Sequence, residues 1–261
     1  MAGFSANLGL LWADLPLPDA VRAAARAGFS AVELQWPYAT PPDAVRAALE
    51  ETGLPVLSLN TPKGEPDTFG TAALPGRAAE ARAGVDAALC YAEAIGAGMV
   101  HVLAGRGDDA APTREDAFRT TLAHAADAAR ARGVTVLIEA LNPHDVPGYH
   151  LSTVEHALET IAAVGAPNLK LMFDCYHVQV AQGDVTRRLA AALPVTGHIQ
   201  IAGAPARTRP DRGELDLAFV LAEAARLGWS RPVGAEYLPG GPTEETLGWL
   251  PAFRRHLAPG D

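Results

Sequence analysis

Short apolar runs recur along the chain, each introduced by a glycine that itself follows a stretch of helically spaced apolar residues. The glycines are Gly28 before SAVELQW, Gly53 before LPVLSLN, Gly96 before AGMVHVLA, Gly133 before VTVLIE, Gly165 before APNLKLMFD and Gly228 before WSRPVGAEY. A glycine just past a helix supplies the left-handed conformation that ends it, so each marks a switch from helix to strand. The opening GFSANLGLL and the run VTGHIQI after Pro194 read as strands without that glycine, which brings the total to eight. Between the runs, Val85, Leu89, Ala92 and Ile95 share one helical face, as do Phe118, Leu122, Ala125 and Ala129, and then Val154, Leu158 and Ile161. Ser152-Thr-Val-Glu155 has capping-box spacing, and Thr113-Arg-Glu-Asp116 is a weaker version, so both predict helix starts.

Eight strand–helix units in 261 residues predict a (β/α)8 TIM barrel, residues 1–261 forming one domain. The competing reading is an open doubly wound sheet, and the lack of a G-x-G-x-x-G turn after the first strand counts against it. The two longest strand-end loops, 60–76 and 202–214, are rich in proline and glycine, and the second carries Arg207, Arg209 and Arg212. Loops of that length in a compact domain are more often functional than idle.

The ends of the later strands carry the chemistry. Glu139 follows VTVLI, Asp174 follows LKLMF, Gln200 lies within GHIQI, and Glu236 follows PVGA. In a closed barrel the carboxyl ends of neighbouring strands converge on one face. Carboxylates gathered there repel one another unless a counter-charge is present. A divalent cation held by all four is the reading adopted, and all-oxygen ligands favour Mg2+ or Mn2+ over Zn2+. The bland alternative for each residue alone is pairing with an arginine or capping the next helix.

Composition narrows the partners. A net charge of −9 argues against a broad phosphate-binding surface and therefore against nucleic acid. Cys90 and Cys175 lie far apart and do not suggest a disulfide framework, which fits a reducing cytoplasm. No run reads as a signal peptide or a membrane span. The partner called for is a small molecule, and a homo-oligomer is compatible with all of this. His177, in the turn Asp-Cys-Tyr-His, could donate to a substrate oxygen, or be a structural hydrogen bonder. His101, on the fourth strand, and Asp145, in the loop after the fifth, join it as candidate substrate contacts. Cys175 reads as a small buried filler. Trp12, Trp36 and Phe69 read as core residues first, and as an apolar wall of the site second.

The segments FSANLGLLWADLPLPDA, AGFSAVELQWPY, LPGR at Leu74–Arg77, HVLAG at His101–Gly105, IEALNPHDVPGY, FDCYHVQ and GHIQIAGAPAR together resemble the hydroxypyruvate isomerase family of xylose-isomerase-like barrels. The likeness runs nearly the whole length. It implies metal-dependent interconversion of an aldehyde and a ketone, on hydroxypyruvate or related oxo-tetronates. It also implies that Glu139 and Glu236 are the proton-transferring pair and that Asp174 and Gln200 complete the metal site. Arg207 falls where the family keeps an arginine, and its planar fork suits a carboxylate substrate, whereas a loop arginine without a partner is the plainer reading. Lys63, Arg106 and His144 are the next candidates for that clamp. The chain departs from the family at Thr208-Arg209, where His-Glu is usual, and at His144, where Arg is frequent.

Other functions fit less well. A ketose 3-epimerase would use the same parts on a longer substrate. A phosphodiesterase needs more strand-end histidines and a basic face. A non-catalytic metabolite-binding barrel would be expected to lose one of the two glutamates, and both are present.

Overall fold

The computed structural model describes residues 3–65, 68–108 and 111–257. Strands β1 (Phe4–Asn7), β2 (Ala31–Leu34), β3 (Val56–Asn60), β4 (Met99–His101), β5 (Thr135–Glu139), β6 (Leu169–Asp174), β7 (Thr196–Ile201) and β8 (Val233–Ala235) pair in parallel in chain order, and β8 closes on β1. This is the expected (β/α)8 barrel. All six switch glycines adopt positive φ, from 67° at Gly165 to 96° at Gly228.

Around the barrel lie α1 (Leu17–Arg26), α2 (Pro42–Thr52), α3 (Ala78–Ile95), α4 (Ala111–Arg130), α5 (Val154–Val164), α6 (Cys175–Ala181), α7 (Val185–Ala192) and α8 (Leu217–Arg226). After β8 a 3-10 segment, Thr243–Trp249, leads into the short α9 (Leu250–Phe253) in place of a long final helix. The faces read from periodicity pack inward: Val85, Leu89, Phe118, Leu122 and Val154 are buried. Each such side chain stabilises the fold by about 1.5–3 kcal/mol through the apolar surface it removes from water.

The helix starts differ from the capping boxes. Thr153, one residue later than expected, caps α5 by accepting from His156 N at 3.2 Å, while Glu155 accepts from Gln182 Nε2 at 2.6 Å. Thr113 lies inside α4, which already runs from Ala111. Among the described residues no helix is long and apolar enough to cross a membrane.

The barrel interior is not uniformly apolar. Ser5 of β1, Glu33 of β2, and His198 and Gln200 of β7 are buried polar side chains. They meet beside Gly234 of β8, where an added Cβ would stand 2.4 Å from Glu33 Oε1, 2.8 Å from Gln200 Cγ and 2.9 Å from His198 Nε2. Glycine at 234 is therefore required by the space the polar side chains fill.

Candidate active site

Glu139 ends β5, Asp174 ends β6, Gln200 lies near the end of β7 opposite Asp174 in register, and Glu236 follows β8. The strand ends place all four at the carboxyl mouth of the barrel, and all four are buried. Glu139, Asp174 and His177 bring ligand atoms within 4.8 Å of one another. Arg207 links two of the acids, with Nη2 3.6 Å from Asp174 Oδ2 and 3.2 Å from Glu236 Oε2. The second oxygen of Glu236 accepts from Gln35 Nε2 at 2.6 Å. Asp174 also performs the plainer task weighed for it: its Oδ1 accepts from Tyr176 N at 2.8 Å and caps α6.

Desolvation dominates the electrostatics. Burial, reinforced by the charges of Glu236 and Asp174, pushes Glu139 well above the usual carboxylate range. Burial lifts Asp174 to about 6 and Glu236 to about 7, although Arg207 pulls both down. Glu139 Oε1, Asp174 Oδ2 and Gln200 Oε1 are buried oxygens without a hydrogen-bond partner. A buried acceptor left without a donor is costly, and oxygens that crowd and repel are what a hard divalent cation relieves. The donor set fits such an ion.

His177 can be given a tautomer. Its Nδ1 accepts from Asn142 N at 3.2 Å, with Asn142 Nδ2 at 2.8 Å, so the proton resides on Nε2. Nε2 points into the site, 3.8 Å from Asp174 Oδ2 and 4.0 Å from Glu139 Oε1. Burial, with Arg207 and His101 nearby, pushes its pKa well below the ordinary value, so the ring is a neutral donor. Ligation through Nε2 would need the other tautomer and would leave the Asn142 amide facing an N–H. His101 is also buried, with Nδ1 3.6 Å from Glu139 Oε2, and burial pushes it down to about 3.

The cavity above the acids has an empty volume of about 350 Å3 and is lined by His101, Glu139, His177, Arg207 and Glu236 on one side. Trp36 and Phe69 also line it, edge to face with ring centroids 6.1 Å apart, so for these two the wall reading replaces the core reading. Trp12 remains a core residue, packed on Phe29. Cys175 is buried and Cys90 is exposed, and both are free thiols. Lys63 Nζ sits 3.5 Å over the Trp36 ring, and the Arg106 guanidinium lies 5.6 Å from the Phe69 ring centroid.

Asp145 does not line the cavity. It accepts from Tyr176 Oη at 2.7 Å and from Asn142 Nδ2 at 3.1 Å, so it braces the residue that orients His177. Arg207 has left-handed backbone, φ 51°, and its Nε donates to the Glu236 carbonyl at 3.3 Å. A non-glycine residue in that conformation is strained, and such strain gathers where a side chain must be aimed. Arg209 is drawn to Asp211, with Nε 2.8 Å from Oδ1.

Glu33, Gln35, Asn142 and His198 are not singled out by sequence patterning. Glu33 offered the clearest signal, a charge in the middle of the apolar run SAVELQW. Gln35 reaches Glu236 by lying over Gly9, where a Cβ would come within 2.3 Å of its amide. Nothing in the sequence indicates that contact.

A parallel eight-stranded barrel with acids at the ends of its later strands defines a class, and the comparisons with known proteins agree. Residues 21–253 match the model of the xylose isomerase-like TIM barrel family, and the chain belongs to that family. It is 41% identical over 258 residues to a 2-oxo-tetronate isomerase of Cupriavidus necator, covering 97% of this chain and 99% of the relative. A Homo sapiens relative, provisionally named hydroxypyruvate isomerase, is 38% identical over 261 residues, covering 96% and 94%. These relatives make the chain an enzyme of the isomerase class. A crystal structure described as AP endonuclease, family 2 from Brucella melitensis superposes with a TM-score of 0.93 at 34% identity, covering 97% of this chain and 99% of that one.

Proposed function

We propose that the chain is a divalent-metal-dependent aldehyde–ketone isomerase acting on a small hydroxylated carboxylic acid, hydroxypyruvate with tartronate semialdehyde or an oxo-tetronate. The observation that carries this reading is the pair Glu139 and Glu236. They are buried carboxyls on β5 and just after β8, facing one small cavity that Arg207 also lines; burial pushes Glu139 well above the usual carboxylate range and lifts Glu236 to about 7. A carboxyl poised near the working pH can take a proton from one carbon and return it to the next.

Glu139, Asp174, Gln200 and Glu236 would hold the cation, which when bound supplies Lewis-acid polarisation of the substrate oxygens. One glutamate removes the proton from the hydroxyl-bearing carbon and the other delivers a proton to the neighbouring carbonyl carbon, while the hydroxyl proton passes to the former carbonyl oxygen, so that hydroxyl and carbonyl exchange places. His177 Nε2–H donates to the oxygen on which charge develops. Arg207 pairs with the substrate carboxylate, and Trp36 and Phe69 exclude water from the reacting carbons.

The description attached to the Brucella structure raises a phosphodiesterase reading. The net charge of −9 and a cavity that, among the described residues, only two histidines line, His101 and His177, weigh against it. The test is a metal-stripped and metal-restored assay on hydroxypyruvate, oxo-tetronates and ketohexoses, read by proton exchange with solvent. Metal-dependent exchange on the acids is expected. Turnover of ketohexoses alone would replace this reading with a 3-epimerase.

A further inference from the structure

We propose that Glu33 is a positioning residue, fixing which end of the Gln200 side-chain amide faces the active site. The inference rests on the metal-dependent reading above. The amide of Gln200 has two ends of nearly the same shape and opposite polarity, and only its oxygen can bind a cation. Its orientation is set from below. Glu33 is buried inside the barrel and does not line the cavity. Its Oε1 accepts from the Ser5 hydroxyl and lies 3.0 Å from His198 Nε2, while its Oε2 accepts from Gln200 Nε2 at 2.7 Å.

An ionised carboxylate only accepts hydrogen bonds, so the Gln200 group turned toward it must be the NH2. Ser5 Oγ donates to Oε1 and His198 Nε2 stands 3.0 Å from the same oxygen, so the acceptor left facing Gln200 is Oε2. With the nitrogen committed to Glu33, Gln200 Oε1 is left buried and without a partner, available as a ligand. Turning the amide over would set its oxygen against the carboxylate and present two N–H donors where a cation must sit. The arrangement is built into the barrel, since Gly234 supplies the room that a Cβ would close. Groups that orient a metal ligand in this way typically change metal affinity about 10–100-fold when altered.

The experiment is titration of the metal-stripped protein with Mn2+ alone, by calorimetry. Glu33→Gln keeps the shape but can present either end of its own amide, so Gln200 is no longer held. It should bind Mn2+ about 10–100-fold more weakly, with native circular dichroism. In a Gln200→Met background, which has no oxygen to orient, Glu33→Gln should cause no further loss. Equal binding in Glu33→Gln, or the same loss in the Gln200→Met background, would overturn the proposal, the latter assigning Glu33 a general charge effect. If Glu33→Gln does not fold, the exchange Glu33→Gln/Gln200→Glu re-forms an amide-to-carboxylate pair. It should fold and bind within a few-fold of wild type, and a folded exchange variant that fails to bind would also overturn the role. No binding by the wild-type chain would instead overturn the metal reading itself, and this inference with it.

Discussion

Arg207 holds Glu236 at two points, donating from Nε to its backbone carbonyl at 3.3 Å and placing Nη2 3.2 Å from its carboxylate. The planar fork therefore already serves the protein's own acid. Arg207→Lys keeps the charge but loses the fork, and should raise KM about tenfold or more for carboxylate substrates while changing it little for a neutral ketose. If KM is unchanged for every carboxylate, the clamp lies at Lys63, Arg106 or His144.

The same contact makes a separate expectation about stability. Arg207→Gln leaves Asp174, Glu139 and Glu236 without their nearby cation, and breaking a buried charge pair costs about 3–5 kcal/mol. Thermal unfolding should show a lower Tm in the metal-stripped variant and a larger upward shift on adding Mn2+ than in wild type. Equal Tm values would mean that Arg207 is not their counter-charge.

Glu139→Gln and Glu236→Gln each preserve shape and should lower kcat by about 10²–10⁴ with an unchanged circular dichroism spectrum. Full activity in either variant would move the proton-transfer role elsewhere.

His177→Ala removes a donor but, on the tautomer fixed by Asn142, no metal ligand. A fall in kcat/KM of about 10–100-fold is expected, with Mn2+ affinity close to wild type. Abolished Mn2+ binding would make His177 a ligand and the tautomer assignment wrong.

Away from the site, Glu115 Oε2 lies 2.8 Å from both His150 Nε2 and His156 Nε2, tying the loop after β5 to α4 and α5. Burial opposes the charge of Glu115, but His156, His150, Thr160 and Arg119 together hold it down at about 2. Because its folded pKa is depressed, its contribution is complete above the ordinary value of 4.5 and is lost as pH falls from there toward 2. His150 is pushed below its ordinary 6.5, chiefly by burial, so the unfolded chain takes up that proton first and stability already declines below pH 6.5. Denaturant midpoints against pH should fall in two stages, and Glu115→Gln should remove the lower one. A midpoint flat from pH 7 to 4 would contradict the assignment.

The fold was legible because six helix-to-strand switches carry a glycine, as Gly53, Gly96 and Gly165 do at helix ends. The convergence of Glu139, Asp174, Gln200 and Glu236 at the mouth was legible because each is a polar residue at or near the end of an apolar run on a strand whose end faces the mouth. Glu33 was signalled only as a charge inside an apolar run, and a short strand gives no hint of whether such a residue points to the barrel axis or to the helices. Gln35 and Asn142 were illegible for another reason, since their importance lies in contacts across long sequence separations, Gln35 with Glu236 and Asn142 with His177. Trp36 and Phe69 were read as core because a half-buried aromatic has the same local pattern whether it faces other side chains or a cavity. The Ser152 box failed by one residue because Thr153 can make the same capping bond.

The hydrogen bond from the Asn142 amide to His177 Nδ1 turns a backbone group into a reporter. Any event that moves the proton from Nε2 to Nδ1, or swings the ring toward a ligand, must break or weaken that bond. The 15N and 1H shifts of this one amide, together with its rate of exchange with deuterium, therefore read the state of the imidazole from outside the cavity. Nuclear magnetic resonance could thus follow occupancy of the site without a labelled substrate and without a paramagnetic ion.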